Sequence, residues 1–288
     1  MVGSTGRQPL LIDVSFARLM ELVEARDLAD YVTAWRQVAP EAEPEYLELG
    51  AGVAGFAGPD CPITQAVGFG LEGPTVWEQI DKVEEFFGSR GAPSRFALCP
   101  MAHPSLLGEL GRKGYVLSEF EDLLFMELGT GAAADIDGGA AADMDGGAEG
   151  LAVRKIGAGE SIIWAETAAR GFTAVAHPER EDIVLGLAAA IRPGVSLFAA
   201  EVGGQMVATA ALAVRGEVGT MFGAATLPEF RNRGAQTALT RRLLAAAAEA
   251  GCEIAVAGGV PGGVSHRNQE RLGLRVAYTK VMVERTLA

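Results

Sequence analysis

The residues best suited to chemistry lie in one short segment, residues 227–239, which carries two arginines and a glycine at close spacing. A β-like run enters this segment, and an Ala/Leu-rich helix is expected to follow it. A strand, a glycine turn and a helix N-terminus leave several backbone N–H groups facing one concavity, with the positive end of the helix dipole behind them. Arg231 and Arg233 add charge at the rim, and Gly234 lets the backbone approach a ligand closely because it lacks a Cβ. The pattern is typical of a phosphate-binding site, and the alternative is an ordinary strand-to-helix turn on a Rossmann-like sheet.

The turn has neither the spacing of a Walker loop nor that of a dinucleotide fingerprint. It resembles the pyrophosphate-binding turn of the GCN5-related N-acetyltransferases (the GNAT family), whose pattern is Arg/Gln-x-x-Gly-x-Gly/Ala. Residues 231–236 match the first four positions of this pattern, and Gln236 departs from it at the last. The resemblance implies acetyl-CoA as co-substrate, with Arg231 at the rim of its pyrophosphate site. The groups that would hold the pyrophosphate are Arg233, Gly234, Ala235, Gln236 and Thr237.

The same resemblance implies where the rest of CoA would bind. GNAT enzymes separate their fourth and fifth strands, and the pantetheine arm fills the gap. Ala225, Thr226 and Leu227 would supply backbone hydrogen bonds to it, and one amide there would polarise the thioester carbonyl. Asn268 resembles an Asn that contacts the CoA arm. From the residues alone, 225–227 are equally typical of a central strand, and Asn268 of a helix start.

The general acid expected in the family is missing from this chain. A Tyr usually lies four residues before the Gly of a Tyr-x-x-x-Gly-Phe motif, and Gln269 occupies that position here, before Gly273. Two substitutes are candidate catalytic residues. Tyr278 lies in the last predicted strand, where a packing role is the alternative. His266 has an ordinary pKa that suits acid or base chemistry, although a lone surface histidine often has no function.

Composition excludes several classes of protein. A net charge of −13 argues against a nucleic-acid partner. No apolar run reaches the roughly 18 residues that a membrane span requires, and the N-terminus lacks the order of a signal peptide. The three cysteines are widely spaced in apolar surroundings, which favours reduced thiols in a cytoplasmic protein over a disulfide or metal site. Residues 151–288 carry 15 basic and 12 acidic residues, whereas residues 1–150 carry 9 and 25, so only the second half suits a polyanion such as CoA.

The second half predicts a complete element order. After the low-complexity stretch 129–150, strands and helices alternate as β-α-α-β-β-β-α-β-α-β, which is the order of the GNAT fold. The resemblance therefore covers essentially all of residues 151–288. The predicted fold class is α/β (α+β), with two tandem GNAT-like domains, each a mixed and mostly antiparallel sheet flanked by helices.

The first half, residues 1–128, resembles a degenerate copy of the same plan. Arg112 and Gly114 precede Arg271 and Gly273 by the same 159 residues, which suggests a tandem repeat. In place of the Arg/Gly turn this half has residues 72–78, with a glycine, no arginine and an acid at each end, so we expect no CoA binding there. Residues 129–150 contain five acids and no base, as in a flexible linker. The alternative, calcium binding by the repeated Asp pairs, lacks a closing Glu at EF-hand spacing.

We therefore expect an N-acetyltransferase that transfers an acetyl group directly from acetyl-CoA to a primary amine in a ternary complex. The partner would be a small-molecule or peptide amine, with no metal, nucleic acid or membrane, and the sequence allows a homodimer. Two alternatives stay open at this point. One is a catalytically silent module that binds or senses acyl-CoA, and the other is a structural protein whose two halves form a partner-binding surface.

Overall fold

The computed structural model describes residues 10–74, 77–129 and 150–286. Its strands are β1 (Glu45–Leu49), β2 (Gly52–Phe56), β3 (Gln65–Val67), β4 (Ser94–Leu98), β5 (Val116–Glu127), β6 (Leu151–Lys155), β7 (Val195–Val202), β8 (Gln205–Arg215), β9 (Val218–Thr226), β10 (Ile254–Gly259) and β11 (Arg275–Arg285). Its helices are α1 (Val14–Val38), α2 (Trp77–Gly88), α3 (Pro104–Arg112), α4 (Ser161–Thr173), α5 (Arg180–Ala190), α6 (Ala235–Glu249) and α7 (Val264–Arg271).

Within the described ranges, eleven strands form one sheet in the order β1-β2-β3-β4-β11-β5-β10-β9-β8-β7-β6. Neighbouring strands run antiparallel except at β3/β4 and at β9/β10, which are parallel. The helices cover the sheet on both faces. The predicted fold class, a mixed and mostly antiparallel sheet flanked by helices, is confirmed, and the element order of residues 151–288 is the predicted one.

The two halves of the chain exchange strands at the middle of the sheet. β5 comes from the first half but lies between β10 and β11, and β11 comes from the second half but lies between β4 and β5. β5 and β11 pair symmetrically, because Val116 pairs with Glu284 and Phe125 pairs with Arg275. Adding the predicted offset of 159 to Val116 and Phe125 gives Arg275 and Glu284. The boundary between residues 128 and 151 therefore runs through one shared sheet, and the division into two tandem domains stays a prediction.

The helices pack in two layers, one on each face of the sheet. On one face, α1 packs on the middle of the sheet, and α4 and α5 pack on β7 to β9. On the other face, α6 covers the second half, and α2 and α3 cover the first. The side chain of Asp13 caps α1 by accepting hydrogen bonds from the N–H groups of Ser15 and Phe16 at 2.9 and 3.0 Å. Hydrophobic clusters at the exchanged strands contain residues of both halves, so the halves share core packing there.

Local structure differs from the predictions in a few places. The sequence pattern of residues 46–56 predicts one strand, but the structure has a hairpin there, since Gly50 adopts a left-handed conformation (φ 65°) and turns the chain between β1 and β2. The pattern of residues 64–71 also predicts a strand, of which only the three residues of β3 form. The predicted linker lies outside the described residues except for its two ends, and the predicted degenerate turn at 72–78 is described only in part. No helix among the described residues is long and apolar enough to cross a membrane.

Candidate functional site

The turn between β9 and α6 has the geometry of an anion site. Asn232 and Gly234 both adopt left-handed conformations, with φ of 60° and 83°. Gly234 is the N-cap of α6 and no side chain caps it, and the first intrahelical bond runs from the N–H of Ala238 to the Gly234 carbonyl at 3.0 Å. The N–H groups of residues 235–237 precede that bond and have no partner within the helix. They are free to bind an anion at the positive end of the helix dipole. Residues 234–237 are called the anion seat below.

The two arginines of the turn hold the turn itself together. The Arg231 guanidinium donates to the Gly171 carbonyl at 2.8 Å and to the Thr226 carbonyl at 3.3 Å, so it ties the end of α4 to β9. The Arg233 guanidinium donates to the Glu229 carbonyl at 3.0 Å and stacks over Phe230. Both side chains stay exposed at the rim and contribute positive charge there.

The side chain of Gln236 points away from the predicted pyrophosphate site. Its amide nitrogen donates to the Ala225 carbonyl at 2.8 Å and to the Thr226 hydroxyl at 3.0 Å. A Gly or Ala at this position, as in the family pattern, could not make these bonds. The Gln236 side chain therefore braces the end of β9, and only its backbone N–H faces the anion seat.

β9 and β10 form a parallel pair that opens into a cleft. The pairing runs from Val218 with Ile254 to Met221 with Ala257. Beyond these residues the two strands no longer pair with each other, although each stays paired with its other neighbour. On its other edge, β9 carries a bulge, because Gly223 and Ala224 together lie opposite one residue of β8. Gly223 has a φ of 64°, and an added Cβ there would lie 2.7 Å from the Trp164 ring. The bulge thus fixes the backbone at the mouth of the gap.

The cleft has a volume of about 340 Å³ and is bounded by both strands, α6, α7 and the end of α4. Its β9 wall is formed by residues 221–224, so it lies just before the predicted range. In that range, the N–H of Leu227 donates to the Val207 carbonyl at 2.9 Å, and the carbonyls of Ala225 and Thr226 accept from Gln236 and Arg231. Because these three backbone groups already have partners within the protein, we expect the backbone contacts with a ligand at the bulge instead.

Gln269 reaches the cleft from α7, where the family resemblance places a tyrosine. Its side chain is buried, its amide nitrogen lies 3.3 Å from the Ser265 hydroxyl, and its amide oxygen has no hydrogen-bond partner among the described residues. A buried acceptor without a partner, at the wall of a cleft, indicates a donor that a ligand would supply. Asn268, one residue before, turns its amide oxygen to Arg271 at 3.0 Å on the exposed side of the helix.

The structure brings neither candidate catalytic residue into the cleft lining. The Tyr278 hydroxyl donates to the buried carboxylate of Glu21 at 2.9 Å within the core under α1. Burial raises the pKa of Tyr278, and the neighbouring Glu21 raises it further, so this phenol is a poorer proton donor than an ordinary tyrosine. His266 is buried rather than on the surface, with its Nε2 2.9 Å from Asp122 and its Nδ1 3.3 Å from Glu270. Through these contacts, both residues connect elements of the fold next to the cleft.

Glu121 lies at the cleft but is not among the residues that the sequence pattern indicates. This residue belongs to β5 of the first half, yet its carboxylate lines the cleft because β5 lies next to β10. It lies directly over Gly258, where an added Cβ would come within 2.3 Å of its Oε1. Burial raises the pKa of Glu121; Glu24 and Glu119 raise it further, whereas Lys280 opposes them. No local pattern around residue 121 signals this role, because only the strand exchange brings it to the site.

A second cavity of about 220 Å³ adjoins the cleft between α4 and α5. The two cavities share three residues: Phe172, Phe222 and Gly223. The wall of the second cavity is mostly apolar and includes Trp164 and Leu185, and Tyr31 of α1 closes it by donating its hydroxyl proton to the Leu185 carbonyl at 2.5 Å. An apolar chamber thus opens on the α1 face, next to the cleft. Among the described residues, no group of three or more His, Cys, Asp or Glu could hold a metal ion.

Comparisons with known proteins show what the chain is similar to. Residues 161–273 match the family model described as Acetyltransferase (GNAT) family. No curated protein matches the sequence. A GCN5-related N-acetyltransferase from Kribbella flavida has a similar structure, with a TM-score of 0.61 and 16% identity over 96% of both chains.

Two further solved structures share the fold over most of the chain. The GCN5-related N-acetyltransferase from Sphaerobacter thermophilus has a TM-score of 0.54 and 15% identity over 93% of both chains. A tandem GNAT protein from the clavulanic acid biosynthesis pathway has a TM-score of 0.55 and 11% identity, over 83% of this chain and 80% of the other. These likenesses extend the shared fold into the first half of the chain. The family match places a GNAT acetyltransferase domain in this chain, over residues 161–273.

Proposed function

We propose that the chain is an acetyl-CoA-dependent N-acyltransferase whose co-substrate binds in the cleft between β9 and β10. The observation that carries this proposal is the separation of the two parallel strands after Met221 and Ala257, together with the free N–H groups at the start of α6, the helix that follows β9. The thioester would enter the gap, and the pyrophosphate would bind at residues 234–237. The acceptor would be a primary amine that attacks the thioester directly in a ternary complex.

The residues at the cleft fit an acyl-CoA. The pantetheine arm carries amide N–H groups, which match the unpaired amide oxygen of Gln269. A backbone N–H group at the bulge of Gly223 and Ala224 would polarise the thioester carbonyl, in the manner of an oxyanion hole. The second half of the chain is the mildly basic one, which suits a polyanionic ligand. The three cysteines are free thiols, which supports a reducing compartment such as the cytoplasm.

A matched pair of glycine variants tests the binding site. Gly234 and Gly251 flank the two ends of α6 and share the same φ of 83°, so an Asp at either position carries the same backbone strain of about 1–2 kcal/mol. We expect Gly234→Asp to abolish the rise in melting temperature that acetyl-CoA produces, because its carboxylate occupies the anion seat. Gly251→Asp, at the far end of the helix, should keep that rise.

A wild-type protein that acetyl-CoA does not stabilise would refute the proposed function. Equal loss of the acetyl-CoA effect in both variants would show that the turn at Gly234 is not the binding site. Thiol release from acetyl-CoA with a panel of amines then separates catalysis from binding alone. Binding without release is the outcome expected of a silent acyl-CoA-binding module, for which Gln269 at the usual tyrosine position is the supporting observation.

A further inference from the structure

The Glu121 carboxylate has no counter-charge of its own. The other buried acids of this region are paired: Glu21 with Lys280 and Tyr278, Asp27 with Arg215, and Asp122 with Thr279. Among the described residues, Glu121 has no hydrogen-bond or ion-pair partner, although it is half-buried and lines the cleft. A desolvated carboxylate without a partner is costly, and such groups are retained where a ligand supplies the missing charge.

The nearest cation is already engaged elsewhere. Lys280 lies opposite Glu121 in the pairing of β5 with β11. Its ammonium is 2% exposed and is held by two carboxylates of α1, Glu21 at 3.1 Å and Glu24. Apart from Lys280, the charged groups that act on Glu121 are acids, namely Glu24 on α1 and Glu119 on its own strand. This environment favours a cationic ligand beside Glu121.

A glycine on the neighbouring strand leaves space for this carboxylate. Gly258 on β10 has no side chain, and Glu121 fills the space that a Cβ would occupy. Across the gap lie Phe222 and the bulge residue Gly223, where the proposed thioester would lie. The apolar chamber under Tyr31 and Leu185 begins at the same two residues. The carboxylate, the bulge and the chamber therefore meet around one space.

We propose that Glu121, supplied by the first half of the chain, binds the ammonium group of the acceptor and removes its proton, while the chamber receives an apolar body attached to that amine. This inference rests on the proposed function and names the substrate class and the base for the same site. The substrate class is a primary amine on a small apolar body, since the chamber is smaller than the roughly 300 Å³ of a typical drug-sized site.

The chemical step balances with groups already named. The R–NH₃⁺ group gives one proton to the Glu121 carboxylate and becomes a neutral amine. Its lone pair forms the C–N bond with the thioester carbon, and the C–S bond breaks with its electron pair left on sulfur. The second nitrogen proton goes to this thiolate, which gives free CoA and the amide. Glu121 returns its proton to solvent. A free thiol such as that of cysteine has a pKa of about 8.5, so a thiolate is a good leaving group and the step needs no strong acid.

Glu121→Gln tests this assignment, with Glu119→Gln as the matched control. Both changes remove one acid from β5, but Glu119 is exposed and does not line the cleft. With 2-phenylethylamine as the acceptor at pH 7, we expect Glu121→Gln to lower kcat/KM about 100-fold or more, and Glu119→Gln to leave it within about twofold. Without the base only the neutral fraction of the amine reacts. The kcat/KM of Glu121→Gln should therefore rise about tenfold for each pH unit up to the pKa of the amine, whereas kcat/KM of the wild type should rise less steeply.

A second variant moves the carboxylate without removing it. Gly258→Ala places a Cβ where the Glu121 oxygen lies, and its backbone is not in the left-handed region. We expect it to reproduce the loss in kcat/KM. Titration of 2-phenylethylamine into the CoA-saturated protein gives a readout without turnover, and Glu121→Gln should weaken this binding at least tenfold.

The outcomes separate the two proposals. A wild-type enzyme that does not bind acetyl-CoA overturns the proposed function. Wild-type turnover that Glu121→Gln retains at pH 7, with unchanged binding of 2-phenylethylamine, overturns the role of Glu121 and leaves the proposed function intact.

Discussion

At the scale of single residues, backbone groups and side chains have different roles in the site. The anion seat at residues 234–237 depends on backbone N–H groups, whereas the conspicuous side chains of Arg231 and Gln236 brace the turn. The sequence could predict the seat, because a glycine turn before a helix leaves donors free whatever the neighbouring side chains do. It could not predict the direction of the Gln236 side chain, because its acceptors lie on β9 and are set by the tertiary fold.

Glu121 also predicts a measurable effect on stability. Its pKa is raised in the folded protein, chiefly by burial, so ionisation at neutral pH disfavours the folded state. A raised carboxyl pKa favours folding below the unfolded pKa of about 4.3, and that contribution is lost as the pH rises through the folded value. We therefore expect Glu121→Gln to raise the melting temperature by a few degrees at pH 7.

The same comparison at low pH provides the check. About one pH unit below the unfolded pKa of about 4.3, the carboxyl is mostly protonated in both states, so the difference between wild type and Glu121→Gln should shrink. Thermal unfolding from about pH 3 to about pH 8 measures this trend. A Glu121→Gln protein that is less stable than wild type at pH 7 would show that the carboxylate stabilises the fold, contrary to this account.

At the scale of elements, the cleft depends on how closely α4 approaches β9. Gly171 permits this approach, since an added Cβ would lie 2.8 Å from the Cβ of Ala225 and 2.9 Å from the backbone nitrogen of Thr226. We expect Gly171→Ala to destabilise the fold by about 1–3 kcal/mol, because backbone atoms cannot move aside cheaply. Gly108→Ala, in α3, is the matched control.

Gly108 has open space around it, because an added Cβ would have only the end of the Arg112 side chain near it, at 3.9 Å. Replacing a helical glycine in open space with alanine stabilises a helix by about 0.5–1 kcal/mol. Urea unfolding of both variants measures the two free energies. Equal effects at the two positions would contradict the close packing of α4 on β9.

The elements of this chain could largely be predicted from the sequence, because hydrophobic periodicity and turn residues are local signals. The β-like run expected before the turn is β9, the Ala/Leu-rich helix expected after it is α6, and the element order of residues 151–288 is the predicted one. The position of β5 between β10 and β11 could not be predicted, since strand order depends on pairing between residues more than a hundred positions apart. The same pairing is what brings Glu121 to the cleft.

At the scale of the whole molecule, the two halves contribute opposite charges to one site. The mildly basic second half carries the anion seat, and the acidic first half supplies Glu121 through the exchanged strand. A polyanionic co-substrate and a cationic acceptor would each approach the charge that attracts it. The first half then serves the site through β5 and α1, even though we expect no CoA to bind within it.

The most direct test of the central claim is a crystal structure of the protein with acetyl-CoA. The account predicts the thioester between Gly223 and Gly258, with the pyrophosphate on the N–H groups of residues 235–237 and a pantetheine amide against Gln269. Acetyl-CoA bound at any other place, or a closed and empty gap between β9 and β10 at saturating acetyl-CoA, would contradict it.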